Sequence, residues 1–421
     1  SPSAEPSNPD GSENNAFYTI QDALESISSE GIQILVKPGT YTGHQNHPVV
    51  EFIGRNVVIE SVAGPATTII DGEGDRTAIR MNSSYGSYGG GYSSSTKIIG
   101  FTIKNGDDDS PLVDITGPYY ETNTPSAARV PWKPVFENCR FTNSTTSRSL
   151  YYEAVSPISI FRASPTFDGC TFRALKVTND AGVERDYVEF PAPITLAGPS
   201  WNSNVMIDTA IYRPVFKNCI IAGNSNELNP GSINRAYSFH GGAVSVKWAA
   251  VPYFENTRID SNKIESGGAF NSSNYTSGFA QSGAEYGGGV YLGAGPVNMP
   301  PIRIVNSSIS YNTINGQRSH GGAVGIMSAQ VEFTNVLMVQ NKVNSKYIAS
   351  TGSVSADLHG YARGGAIWSN PFDFIEYASQ ASNSVPQIKI INSTIADNIV
   401  NPFNASSDAY YKYSGAGLYR T

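Results

Sequence analysis

The chain has 421 residues, with 28 Lys and Arg against 35 Asp and Glu, giving a net charge of −7. Charged residues are only 15% of the sequence and Cys numbers three. There is no cationic footprint for nucleic acid, no run of about 18 apolar residues to span a membrane, and no disulfide framework. At 39% hydrophobic residues the chain does not have a disordered composition. Its polar surface must be drawn from Ser, Thr, Asn, Gly and Tyr, a palette common in secreted and cell-surface β proteins. The Ser/Pro/Asn-rich start, Ser1 to Asn15, reads as the linker-like beginning (residues 1–16) of a mature secreted chain whose targeting segment has been removed.

The first ordered element is a helix over Tyr18–Ser29. Ile20, Ala23, Leu24 and Ile27 recur at helical spacing, Thr19 and Asp22 are placed as a capping box, and Gly31 is a stop signal. Short apolar runs punctuated by Gly, Asn, Pro or Ser then read as strands: Ile32–Val36, Val57–Val62, Thr68–Ile70, Ala78–Met81 and Ile98–Ile103. Pro38-Gly39-Thr40-Tyr41 reads as a tight turn between two of them.

From residue 134 the sequence repeats. Pro-Val-Phe-Glu-Asn-Cys139, Pro-Thr-Phe-Asp-Gly-Cys170, Pro-Val-Phe-Lys-Asn-Cys219 and Pro-Tyr-Phe-Glu-Asn-Thr257 align, and the column continues through Asn306, Asn335 and Asn392. Its spacings are 31, 49, 38, 50, 29 and 57 residues. A second Asn follows six residues later at Asn224, Asn262, Asn312, Asn341 and Asn398. A Gly-Gly signature recurs at Gly241–Val244, Gly287–Val290, Gly321–Val324 and Gly364–Ile367, with a degenerate copy at Gly415–Leu418. Two signatures in fixed order imply a solenoid of strand–turn coils with one continuous core, about a dozen coils at roughly 30 residues each. Phe136, Phe167, Phe216, Phe254 and Phe333 are its expected inward stack. The chain thus reads as one continuous β domain over residues 17–421, not the two or three domains its length suggests.

On these residues the sequence resembles the right-handed parallel β-helix proteins of the pectin-lyase-like superfamily. Tyr18-Thr-Ile-Gln-Asp-Ala-Leu24, Ile34-Leu-Val-Lys-Pro-Gly-Thr-Tyr41, Thr68-Ile-Ile-Asp-Gly72 and Gly100-Phe-Thr-Ile-Lys-Asn-Gly106 match the usual entry into such a helix. The later Phe-x-Asn and Gly-Gly repeats are similar to those of polymorphic outer-membrane adhesins and bacterial surface proteins. The resemblance implies an all-β, right-handed, single-stranded parallel β-helix with a short capping helix and long loops. It does not choose among lyases, hydrolases, adhesins and structural proteins. Ending just inside a Gly-Ala-Gly unit, without a cap, the chain is expected to continue in its parent protein.

Four groups of residues are candidates for chemistry. Cys139, Cys170 and Cys219 share one column, which reads as an interior stack of small side chains because no His or fourth Cys joins it. Asp71, Glu73 and Asp75, and then Asp107, Asp108 and Asp109, form acidic loops that offer oxygen ligands for Ca²⁺ or else ordinary solvated turns. His240, Tyr286, His320, Arg363 and Ser414 precede the Gly-Gly pairs; with Lys247 they supply side-chain types suited to abstracting a proton α to a carboxylate. The alternative is that this column is a polar turn edge. Tyr291, Trp368 and Tyr419 follow the Gly-Gly signature and, with Trp248 and Trp201, are expected as outward aromatics for stacking on sugars, or as rings partly buried under long loops. Tyr/Ser/Gly/Asn loops such as Ser83–Ser95, Ser266–Ser282 and Phe403–Tyr413 offer adaptable contacts to a glycan, another copy of the chain or another surface protein.

A glycosidase needs two carboxylates at about 5 to 9.5 Å. Asp114, Glu153, Asp186, Asp208 and Glu285 make no compelling pair in sequence. The reading is therefore a secreted or surface β-helix that acts as an adhesin, carbohydrate-contacting module or filament component, needing no cofactor beyond possible Ca²⁺. The alternative is a polysaccharide lyase or glycoside hydrolase acting on anionic polysaccharide.

Overall fold

The computed structural model describes residues 9–44, 47–52, 54–82, 92–118, 131–147, 155–178, 187–198, 212–228, 236–248, 250–266, 284–293, 299–316, 318–327, 329–345, 361–370, 387–401 and 413–420. Among them the fold is an all-β parallel solenoid with a single short helix. Every strand pairing between coils is parallel, and neighbours in each sheet come from successive coils. The first sheet has ten strands, from Gln33–Val36 to Ile388–Ile391, so the described residues make ten coils rather than about a dozen. A 15-stranded second sheet, a ten-stranded third sheet from Val50–Glu51 to Leu418–Arg420, and a six-stranded fourth sheet complete the section.

The helix spans Ile20–Ser26, shorter at both ends than its apolar periodicity suggests. Thr19 caps it by accepting a hydrogen bond from the Asp22 amide at 3.0 Å, and Ile20 and Leu24 turn onto the core. Gly39–Tyr41 is itself a strand, pairing with Thr68–Asp71, rather than a tight turn. The run Ile98–Ile103 divides at Gly100 (φ 78°) into strands Lys97–Ile99 and Thr102–Lys104, which belong to different sheets.

Alternation decides which side chains fill the bore. In Val135–Glu137, Thr166–Asp168, Val215–Lys217 and Tyr253–Glu255 only the central Phe is buried. Phe136, Phe167, Phe216 and Phe254 stack with centroids 5.0, 5.0 and 5.1 Å apart. Full burial of each is worth about 1.5–3 kcal/mol, and stacking adds about 0.5–1.5 kcal/mol. The three Cys continue this logic. Each is a buried free thiol whose Sγ lies 3.4–3.5 Å from a carbonyl of the preceding coil. Burial, first, and then the neighbouring thiols push Cys170 above its usual range. Thr257 takes over the same bond in the next coil, to the Phe216 carbonyl.

Each repeat uses two left-handed bends. Asn138, Asn218, Asn256, Asn306, Asn335 and Asn392 have φ between 45° and 54° and turn the chain from the first to the second sheet. Asn is among the few side chains that enter this region readily. The second Asn column is different: the left-handed residue is the one before it, namely Gly223, Ser261, Tyr311, Gln340 or Asp397. Asn224, Asn262, Asn312, Asn341 and Asn398 are themselves buried and form an amide ladder. The Nδ2 of each of the first four donates to the Oδ1 of the next coil's Asn at 2.8–3.0 Å, and the same Oδ1 accepts the backbone N–H of the preceding Asn at 3.0–3.1 Å.

The Gly-Gly pairs join the fourth sheet to the third. Gly241, Gly287, Gly321, Gly364 and Gly415 are left-handed. The second glycine faces a carbonyl of the next coil so closely that a Cβ on Gly242 would collide with the Gly288 oxygen. Both positions therefore need glycine, one for φ and one for space.

Candidate functional site

The outer face of the third sheet carries a cleft with a volume of about 390 Å³. Three neighbouring strands build its floor: Val113–Thr116, Ile158–Phe161 and Ile194–Ala197. Inward Val113, Ile115, Ile158, Ile160, Ile194 and Leu196 hold them on the core, so the alternate residues must face out. Their register makes two lateral rows: Asp114, Ser159 and Thr195, then Thr116, Phe161 and Ala197. Lys247 and Trp248 stand at one end.

Asp114 accepts a hydrogen bond from Thr116 Oγ1 at 2.7 Å, and Asn82 Nδ2 lies 3.4 Å from its second oxygen. Burial dominates its environment and raises its carboxyl above the usual range, while Thr116, Arg80 and Asn82 pull in the opposite direction. Ser156 Oγ contacts Thr195 Oγ1 at 2.6 Å and donates to the Ala192 carbonyl at 2.7 Å. The aromatic wall is Phe161 against Trp248, with centroids 6.0 Å apart at 68°. The Arg162 guanidinium sits 4.2 Å over the Phe161 ring. Arg162 (φ 52°) and Trp248 (φ 55°) are both left-handed, a conformation costing a side chain of this type roughly 1–2 kcal/mol.

The column His240, Tyr286, His320, Arg363 and Ser414 exists as a run of laterally paired residues in the fourth sheet. Its three rings do not line a groove. His240, Tyr286 and His320 are buried, and the expected outward aromatics Tyr291 and Trp368 are only 2% and 1% exposed. Tyr291 and Trp368 do leave the outer face of the third sheet, but the fourth sheet folds alongside and packs its rings on theirs. His240 stacks on Tyr291 at 4.2 Å, and Tyr286 on His320 at 5.3 Å. His320 stacks on Trp368 at 4.5 Å. With Ala284 and Met327, the three larger rings Tyr286, Tyr291 and Trp368 form a second apolar core. Burial, then Arg363 and Arg318, drive His320 well below its usual range, so its imidazole is neutral. Glu285 is also fully buried, held by Ser266 Oγ at 2.7 Å and the Arg318 amide at 2.9 Å. Such a stack holds a sheet in place but offers a substrate no approach. Of the predicted residues, Lys247 and Trp248 do reach the cleft. Tyr419 lies on a strand paired with Trp368, its side chain outside the described residues, and Trp201 is outside them altogether. Most of the Tyr/Ser/Gly/Asn loops also fall there.

The acidic loops are tied down individually. Asp71 accepts from the Glu73 amide and from Asn105 Nδ2, both at 2.9 Å, and pairs with Lys104 at 3.0 Å. Arg76 pairs with Asp75 at 2.6 Å and Glu73 at 3.4 Å. Asp107 accepts from the Asp109 amide at 3.2 Å, and the Asp108 carbonyl accepts from Ser147. Among the described residues no three His, Cys, Asp or Glu side chains converge to hold a metal. Nor, among them, is any helix long and apolar enough to cross a membrane.

The cleft residues Asp114, Thr116, Ser159, Phe161 and Thr195 carry a faint sequence signal, namely polar or aromatic side chains at the outward positions of three apolar strands. Those strands lack the Gly-Gly signature, so the repeat does not point to them. Comparison with protein-family models, curated proteins and solved structures finds no match for the chain.

Proposed function

We propose that this is a secreted or cell-surface β-helix that holds a glycan in the third-sheet cleft, serving as an adhesin, carbohydrate-contacting module or component of an extracellular structure. One observation carries the reading. A rigid floor presents the hydroxyls of Thr116, Ser159 and Thr195, with the Asp114 carboxyl toward one end, Lys247 at the other and two aromatic rings for a wall. Hydroxyls and charged groups on a fixed sheet match the hydroxyls of a sugar, and Trp and Phe offer their apolar faces at little entropic cost. The low charge content supports an extracellular setting. So does the resemblance of the chain's opening and repeats to pectin-lyase-like and outer-membrane adhesin proteins.

Binding without hydrolysis is the better-supported form. Asp114 is the single carboxylate among the described cleft residues, whereas glycoside hydrolysis by the usual route takes two. The test is retention on immobilised cello-, xylo-, manno- and chito-hexaoses. At least one should bind the wild type and lose at least tenfold in affinity in Trp248→Ala and Lys247→Ala, while Tyr311→Ala, on an exposed bend far from the cleft, binds as the wild type. Failure of all four sugars, or equal binding by the Trp248 variant, defeats the reading.

A further inference from the structure

Among the described residues the cleft has one open end and one blind end, and we infer that it receives the terminus of a linear glycan chain rather than an internal stretch. This rests on the glycan reading above. The lateral row Asp114, Ser159, Thr195 continues in register through Ser245, Tyr291, Gly325 and Trp368. The first three are half-buried and line the cleft, whereas Ser245, Tyr291 and Trp368 are all buried. One coil past Thr195, therefore, this row stops being a surface. The change coincides with the fourth sheet. The last residue of its first strand, Pro191, lines the cleft, and His240 on its second strand is already stacked on Tyr291. The second row runs from Thr116, Phe161 and Ala197 to half-buried Lys247, which with Trp248 lines the cleft at this end.

In the opposite direction the row runs from Asp114 to Arg80 and Glu51, both half-exposed, with Arg80 and Glu51 4.0 Å apart. Nothing comparable to the aromatic stack stands on that side among the described residues. A chain lying along the row crosses successive strands, whose spacing of about 4.8 Å is close to the repeat of an extended pyranose chain. From Asp114 to the buried Ser245 is three such steps, about 14 Å, enough for about three sugar residues. The terminal residue then lies against Trp248, with its end group facing the Lys247 ammonium, and Asp114 accepts hydroxyl hydrogen bonds where the chain leaves.

Titration calorimetry on the wild-type protein tests this with cello-, xylo-, manno- and chito-oligosaccharides of two to eight residues and their soluble polymers. Chain-end capture predicts that affinity stops rising at about three residues and that one protein binds per chain whatever its length. It also predicts that a bulky label fails to interfere at one end of the trimer and abolishes binding at the other. A stoichiometry growing with chain length, or indifference to labels at both ends, overturns chain-end capture while leaving glycan binding intact. Absence of binding across the whole panel overturns both.

Discussion

Replacing Asn312 by Ala tests the buried amide ladder most directly. The Asn312 side chain is fully buried. Its Oδ1 accepts two hydrogen bonds from Asn262, from the backbone N–H at 3.1 Å and from Nδ2 at 3.0 Å. Its Nδ2 donates to the Ile259 carbonyl and to Asn341 Oδ1, each at 3.0 Å. Alanine leaves the buried Asn262 N–H without its acceptor and the Ile259 carbonyl without the Asn312 side-chain donor, while Asn262 Nδ2 keeps the Ile221 carbonyl and Asn341 Oδ1 keeps the Asn312 backbone amide. At about 1–3 kcal/mol for each stranded group, the loss is about 2–6 kcal/mol. An exposed Asn of the other column should behave oppositely. Asn335 has φ 54°, and glycine there relieves the left-handed backbone, so Asn335→Gly should lie within about 0.5 kcal/mol of wild type or slightly above it. Solenoids need not unfold in one step. The assay is therefore urea unfolding paired with hydrogen exchange at the amides of residues 262, 312 and 341. A loss below about 1 kcal/mol in Asn312→Ala, or equal losses in both variants, would show that the ladder is decoration on a fold held by its apolar bore.

Two further outcomes follow from the fourth sheet. His320 is held neutral by burial and by Arg363 and Arg318. Its folded pKa lies below the unfolded value of about 6.5, so the unfolded chain binds more protons as pH falls and stability declines below about pH 6.5. The titratable group facing the same strands from the neighbouring coil is Glu285, whose carboxyl accepts the Arg318 amide. His320→Phe keeps a ring in the stack and removes this titration. Melting temperatures from pH 8 to pH 5 should fall less steeply in that variant, and an unchanged slope would refute the assignment. Gly316→Ala would put a methyl group into the buried Glu285 carboxylate, which Ser266 and the Arg318 amide hold in place. A destabilisation of about 3 kcal/mol is expected in chemical unfolding, and a neutral result would mean that the carboxylate moves freely.

Much of the fold is legible because the repeat is written by backbone geometry. Asn at a left-handed bend and Gly where a carbonyl presses on the chain are each nearly forced, and the column that aligns Phe136, Phe167, Phe216 and Phe254 is the observed register, with Ile304 standing between Phe254 and Phe333. The fourth sheet was much harder to see. Its strands, such as Ala284–Tyr286, Arg318–His320 and Tyr361–Arg363, share no residue pattern and follow connections of very different length. Without that sheet, strand alternation places Tyr291 and Trp368 off the outer face of the third sheet but leaves open whether solvent or another segment lies over them. The same gap directs attention to His240 and His320 and away from Asp114, Ser159 and Thr195, whose outward positions carry no repeat to mark them. Alternation gives the direction of a side chain, while its accessibility depends on what lies across from it.

The amide ladder also acts as a ruler that ignores how far the chain has travelled. Successive rungs are separated by 38, 50, 29 and 57 residues, yet every amide-to-amide contact is 2.8–3.0 Å. Going from a 29- to a 57-residue detour nearly doubles the excursion, which adds only about 0.6 kcal/mol of closure entropy. The rungs re-zero the chain once per coil, so a lengthened excursion is absorbed where it occurs and does not shift the next coil. Segments at the rim can then be exchanged, extended or shortened with little effect on the bore, leaving a stiff rod whose recognition surface can change while its axis stays fixed.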